Sequence, residues 1–167
     1  MSRVAPFTVP GLTEESGHQV AEILQLRLHA MNDLQLTLKH AHWNVTGPAF
    51  IGVHEMLDPQ IDLVREYADA IAERMATLGV APNGLPGDLV AKRSWEDYQV
   101  DRADTQTHLR AINKVYDGVV EDHRAALAKI ADIDPITEDL LIGQTAELEK
   151  FQWFVRAHIE DEEGNLS

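Results

Sequence analysis

Between Lys39 and Glu73 the chain carries His42, His54, Asp58, Asp69 and Glu73, a set of imidazoles and carboxylates with no thiolate among them. Such donors suit iron, manganese or zinc, and open positions on a mixed histidine and carboxylate site are what iron needs for redox chemistry with oxygen species. His54 and Asp58 stand four residues apart, as do Asp69 and Glu73, so on a helix each pair projects from one face. At 100° per residue all four fall within an arc of roughly 100°. At about 1.5 Å of rise per residue, however, Asp58 and Asp69 lie roughly 16 Å apart along the axis, too far to share one ion. Both pairs have the same midpoint, between Leu63 and Val64. Antiparallel two-fold pairing of this helix with its copy therefore sets His54 and Asp58 of one subunit opposite Asp69 and Glu73 of the other, and gives two equivalent sites per dimer. His42, arriving from the preceding helix, is the second imidazole. Trp43 beside it is a candidate electron donor to reactive intermediates, though tryptophan is also an ordinary packing residue. A polar stripe likewise fits a solvated helix face; the shared midpoint and the ligand chemistry are what favour a metal site.

The elements that must position these groups are helices. Thr13 offers an N-cap, with Glu14 and Glu15 favourably placed in the first turn. Leu24, Met31 and Leu38 then repeat by sevens, with Val20, Leu28 and Leu34 beside them, and His42 continues that stripe. Gly47-Pro48 ends this first helix. A second runs from about residue 50 to Gly79 on the seam Leu57, Ile61, Val64, Ala68, Ile71, Met75 and Leu78, with a local kink expected at Pro59. The connector from Gly79 to Val100 is too long for a plain turn; Ser94-Trp95-Glu96-Asp97 resembles a capping box and predicts a short helix there. A third long helix is expected from about Asp101 to Ile130, burying Leu109, Ile112, Tyr116, Val119, Ala126 and Ile130. Asp134 and Pro135 open a fourth, with Leu141, Leu148, Phe151 and Val155 inward. Four long helices with an extra segment between the second and third describe an all-α, ferritin-like four-helix bundle with a crossover connection. Residues 1–12 read as an extended arm, 13–160 as the bundle, and 161–167 as a short acidic tail.

Other polar candidates are weaker. Glu15 and His18 have the Glu-x-x-His spacing of carboxylate bundles but no second copy. His40, two residues from His42, points elsewhere on a helix, and His123 lies on the buried face of the third long helix without a partner pattern.

Composition narrows the function. A formal charge of −14 argues against binding nucleic acid by counterion release and favours attracting cations. The absence of cysteine excludes disulfides and thiolate sites. Neither a signal-type apolar run nor a membrane-length one is present, which predicts a soluble cytoplasmic protein.

The run AHWNVTGPAFIGVHEMLD followed by YADAIAERMATLG closely resembles the Dps proteins, the dodecameric mini-ferritins of bacteria, and ELEKFQWFVRAHIE resembles their final helix. The resemblance spans residues 13 to 160. It implies a hollow shell of twelve subunits that oxidises ferrous iron, typically with hydrogen peroxide, and stores it as ferric mineral. On that pattern His42, His54 and Asp58 match the ligands from one subunit, Asp69 and Glu73 those from its two-fold mate, and Trp43 the tryptophan next to the ferroxidase centre. Acidic three-fold pores near the start of the last helix would admit iron, with Asp134, Glu138 and Asp139 as candidates by position. DNA binding does not carry over. Members that bind DNA commonly use mobile tails rich in lysine and arginine, whereas this chain has Arg3 at one end and Asp161, Glu162 and Glu163 at the other. The competing readings are a structural protein that compacts the nucleoid and a helical assembly without metal chemistry; the midpoint argument by itself reaches only the dimer.

Overall fold

The first helix begins where its cap predicts: Thr13 holds an extended conformation and its hydroxyl accepts the amide of Ser16 at 3.1 Å. The computed structural model describes residues 4–166, so Arg3 lies outside the described residues. It contains α1 (Glu14–Asn44), α2 (Phe50–Thr77), α3 (Pro86–Lys92), α4 (Thr105–Ile130) and α5 (Pro135–Ile159). Two short strands, β1 (Val45–Thr46) and β2 (Ala103–Asp104), pair in parallel. The long helices pack as two hairpins, α1 on α2 and α4 on α5, with α1 against α4. Pro59 is accommodated inside α2.

The apolar seams become the core. Leu24, Met31, Leu34 and Leu38 of α1 meet Leu57, Val64, Ile71 and Met75 of α2, and Leu109, Ile112, Leu141, Leu148 and Val155 close it from the other hairpin. Burying each such side chain contributes about 1.5–3 kcal/mol. Val120 takes the inward position of α4, and Val119, expected there, is half-buried. His123 is fully buried in the same interior, and burial, reinforced by the charge of Arg27, pulls its imidazole down to about 4.

Because α2 and α4 run the same way, the connector must travel the length of the bundle, and α1 grips it at intervals. The Gln25 amide exchanges two hydrogen bonds with the backbone of Asn83, at 2.8 and 2.9 Å. The His29 imidazole meets Asp88 at 2.8 Å. Asp33 accepts the Trp95 indole N–H at 2.7 Å, His40 donates to the Val100 carbonyl at 2.9 Å, and Thr46 donates to that of Ala103 at 3.0 Å.

Two expected boundaries move. The short helix lies at Pro86–Lys92, opened by a proline in its first turn, and not at Ser94-Trp95-Glu96-Asp97. That segment is held outside any helix by the bond from Trp95 to Asp33 and by the ion pair of Arg93 with Asp97 at 2.5 Å. The third long helix starts at Thr105, four residues after the expected Asp101, because Ala103 and Asp104 pair with β1 and the Asp104 carboxylate caps the amide of Thr107. The acidic tail turns back on itself: Asp161 accepts the amides of Glu163 and Asn165, and Glu160 bridges Leu166.

The N-terminal arm lies across the end of α2. Val4 bridges Val80, and the Ala5 amide donates to the carbonyl of Gly79 at 2.8 Å. Gly79 sits at φ +87°, and a Cβ there would collide with the carbonyl of Phe7. Gly79→Ala is therefore expected to cost about 1–3 kcal/mol in chemical denaturation. Gly84→Ala, where a Cβ would meet nothing within 4 Å, should change stability by less than about 0.5 kcal/mol.

Candidate metal centre

The last turn of α1 and the second turn of α2 are joined by a short link in which Gly47 adopts φ +103°, a conformation natural to glycine. That link lays His42 against His54. The Nδ1–H of His42 donates to the carbonyl of His54 at 2.9 Å, and the Nδ1–H of His54 donates to the carbonyl of His42 at the same distance. Their rings stack with centroids 3.6 Å apart. Committing both Nδ1 atoms to carbonyls leaves both Nε2 lone pairs for a metal, the arrangement by which proteins orient ligating histidines.

Asp58, one turn beyond His54, completes the cluster: ligand atoms of His42, His54 and Asp58 all lie within 4.8 Å of one another. Among the described residues this is the one such group of histidines and carboxylates. The residue that spacing did not reveal is Lys39, one turn before His42, whose ammonium lies 2.9 Å from the Asp58 carboxylate. Its hydrogen bond holds Asp58 below the usual carboxylate range; burial opposes it as the next-largest influence, and the charges of His42, Lys39 and His54 add to the lowering. The carboxylate is thus ionised and aimed before any cation arrives. A lysine on an amphipathic helix looks like any solvated charge, so only the fold could single it out.

The other two candidate ligands are not in this cluster. Asp69 and Glu73 are exposed further along α2, as the axial rise requires. Trp43 is 70% exposed, with its ring outside the core. Glu15 is exposed and His18 half-buried; His40 is spent on the connector, and His123 lies inside the bundle.

The three acidic candidates near the start of α5 differ among themselves. Asp134 is 4% exposed: its carboxylate caps Ile136, accepts from Thr137, and pairs with Arg74 of α2 at 2.6 Å. Burial opposes its ionisation, but the Thr137 hydrogen bond and the Arg74 guanidinium outweigh it and hold the carboxyl below the ordinary range. Glu138 is half-buried and Asp139 exposed.

Comparison with known proteins establishes the family and the fold that carry these residues. The family model described as a ferritin-like domain matches residues 21–164. The DNA protection during starvation protein of Mycolicibacterium smegmatis is 56% identical over 161 residues, 96% of this chain and 88% of that protein. The fine tangled pili major subunit of Haemophilus ducreyi is 56% identical over 166 residues, 99% of this chain and 88% of that one. Among solved structures, DpsA14 from Streptomyces coelicolor superposes with a TM-score of 0.97 at 56% identity, covering 100% of this chain and 99% of its own.

The Arg74 to Asp134 pair ties the two hairpins together, so Asp134→Asn should lower stability by about 2–4 kcal/mol at neutral pH. The folded-state pKa lies below the ordinary 3.8, so the wild-type advantage is complete above that value and is lost as pH falls through the lower, folded one. Denaturant titrations of both proteins from pH 7 down to 2 check the magnitude and the sign, with convergence of the two curves expected at the acid end.

Proposed function

Given that this chain belongs to the ferritin-like family and, within it, to the Dps proteins, we propose that it is a ferroxidase of a hollow, twelve-subunit, cytoplasmic iron store. Iron storage and protection is the general role of that family; the rest is our reading of the residues. The observation that carries it is the cluster of His42, His54 and Asp58, with both imidazole Nε2 atoms free for a metal. Asp69 and Glu73 of the two-fold mate supply the remaining ligands, which the common midpoint of the two pairs supports.

Iron is the substrate here. Neutral imidazoles and carboxylates hold ferrous ions without the very tight grip of thiolates and stabilise the ferric product through carboxylate charge. Lys39 is displaced from Asp58 as a cation takes its place. Two ferrous ions each give up one electron, the O–O bond of hydrogen peroxide breaks, and its two oxygens leave as water after taking up two protons. No hydroxyl radical is released, which is how such a reaction protects the cell. Trp43, exposed beside His42, serves as a local reductant. Glu138 and Asp139 are the free carboxylates for an entry pore, while Asp134 keeps its place as a cap and ion-pair partner.

Wild-type protein given ferrous iron and peroxide should develop a growing ferric absorbance. The His54→Ala/Asp58→Ala double variant should mineralise at the rate of protein-free solution, and equal rates for variant and wild type would sink the assignment. Size-exclusion of the same samples reads the assembly directly, with a dodecamer expected for both.

The name of the mycobacterial relative brings DNA protection to mind, and protection by removing peroxide needs no contact with DNA. A chain of charge −14, multiplied over twelve subunits, repels phosphates. Gel shifts at low and moderate salt should show free DNA throughout; a retarded complex at moderate salt would establish the nucleoid-compacting alternative.

A further inference from the structure

We propose that Tyr98 is a one-electron donor to peroxide at the iron site and that His108 takes its phenolic proton as the electron leaves. This rests on the ferroxidase reading above. The Tyr98 hydroxyl lies 2.9 Å from Nδ1 of His108, and their rings stand nearly parallel at 6.0 Å. His108 is 0% exposed, and burial, opposed by the backbone of Asn44 and Asp101, lowers its pKa. The ring is therefore neutral at physiological pH, and with the proton on Nε2 its Nδ1 accepts from the phenol. Burial also pushes the Tyr98 phenol well above its ordinary range, so a phenolate is not formed beforehand. Removing an electron from a neutral phenol makes it a strong acid, and a low-dielectric site cannot keep the resulting charge on the ring. Electron and proton must depart together, and His108 is a base already in place.

The pair also packs against the C-terminal end of α1, the helix end that bears His42. The His40 ring stands edge-on to Tyr98 with centroids 5.9 Å apart, and the backbone of Asn44 faces His108. His40 and Asn44 lie two residues to either side of His42, about 200° around α1 from it, so Tyr98 and His108 pack on the opposite side of the helix end that presents His42, and an electron from Tyr98 must cross that helix end. The other two tyrosines lack this arrangement. Tyr116 donates to the amide oxygen of Gln60 at 2.6 Å, an acceptor too weak to hold a proton. Tyr67 makes no hydrogen bond to an imidazole among the described residues.

Electron counting leaves room for a donor besides iron, and Tyr98 supplies the electron when Trp43 does not. Peroxide takes two electrons to become water, and a site holding a single ferrous ion supplies one. With Tyr98 present, the ferrous ion and the phenol each lose one electron, the phenolic proton moves to Nδ1 of His108, and the O–O bond breaks. Two further protons from solvent complete two waters. The products are ferric ion, a neutral tyrosyl radical and an imidazolium, and no hydroxyl radical escapes.

The test is freeze-quench electron paramagnetic resonance on assembled protein given one ferrous ion per site and excess peroxide, for wild type, Trp43→Phe and Tyr98→Phe. Trp43→Phe should show a tyrosyl signal whose hyperfine coupling to an exchangeable proton disappears in D2O, a feature that a merely structural tyrosine would not give. Tyr98→Phe, which removes only a hydroxyl, should lose that signal and release more spin-trapped hydroxyl radical, while forming ferric product at the wild-type rate with two ferrous ions per site. Ferric product without a tyrosyl signal, or the same signal in Tyr98→Phe, overturns the proposal. Absence of ferric product from wild type would instead count against the ferroxidase reading. Iron-free flash oxidation with a ruthenium photosensitiser and persulfate then decides Tyr98 separately. Oxidation at Tyr98 with a solvent isotope effect that His108→Gln abolishes supports the donor, and oxidation mapped by mass spectrometry to Tyr67 or Tyr116 instead overturns it.

Discussion

Two hydrogen bonds, from each imidazole of His42 and His54 to the other's carbonyl, are the constraint on which this site depends. They act at once on chemistry and on fold. Chemically they commit both Nδ1 atoms to carbonyls and leave the Nε2 atoms for a ligand. Structurally they tie the end of α1 to the start of α2, adding to the apolar packing that already holds these two helices together. Removing either imidazole would delete one of the two side-chain bonds between these helix ends. Ligand placement is thus a property of the helical hairpin rather than of two independently positioned side chains.

The second organising fact is the crossover. The connector runs the length of the bundle with only Leu89 buried in its short helix, and Trp95 and Tyr98 partly buried against the core. It is held by polar contacts spaced along α1, from Gln25 at one end to Thr46 at the other. These contacts carry a cost if incomplete, because Gln25, His29 and His108 are buried polar groups that need partners. The same spacing sets Tyr98 beside His108 and the end of α1, so the connector brings redox-capable side chains to the metal-binding end as a consequence of its route.

Much of this was legible in residue order. The seam from Leu57 to Leu78 is buried at every position, Thr13 and Asp134 cap where their types and neighbours indicate, and the argument from axial rise that one chain cannot close the site agrees with where Asp69 and Glu73 lie. What could not be read was set by tertiary partners. Ser94-Trp95-Glu96-Asp97 has a cap's composition, but Asp33, sixty-odd residues upstream, takes the indole and keeps the segment out of a helix. Asp134, expected both as a cap and, by position, as a pore carboxylate, is in addition surrounded by Arg74 and Thr137, contacts that no local spacing announces. Lys39 and the Tyr98 to His108 pair escape sequence reasoning for the same cause: their meaning lies in a contact between segments whose spacing carries no periodic signal.

Pro59 has a consequence for how the centre moves. Lacking an amide hydrogen, it cannot bond the carbonyl of Glu55, so one rung of the α2 ladder is missing where the turns bearing His54 and Asp58 join the rest of the helix. Those turns are tied to α1 by the paired histidine bonds and to their own helix by one bond fewer. The cooperative unit that protects their amides from exchange with solvent is therefore the hairpin tip, α1 end and α2 beginning together, and not the helix to which the ligands formally belong.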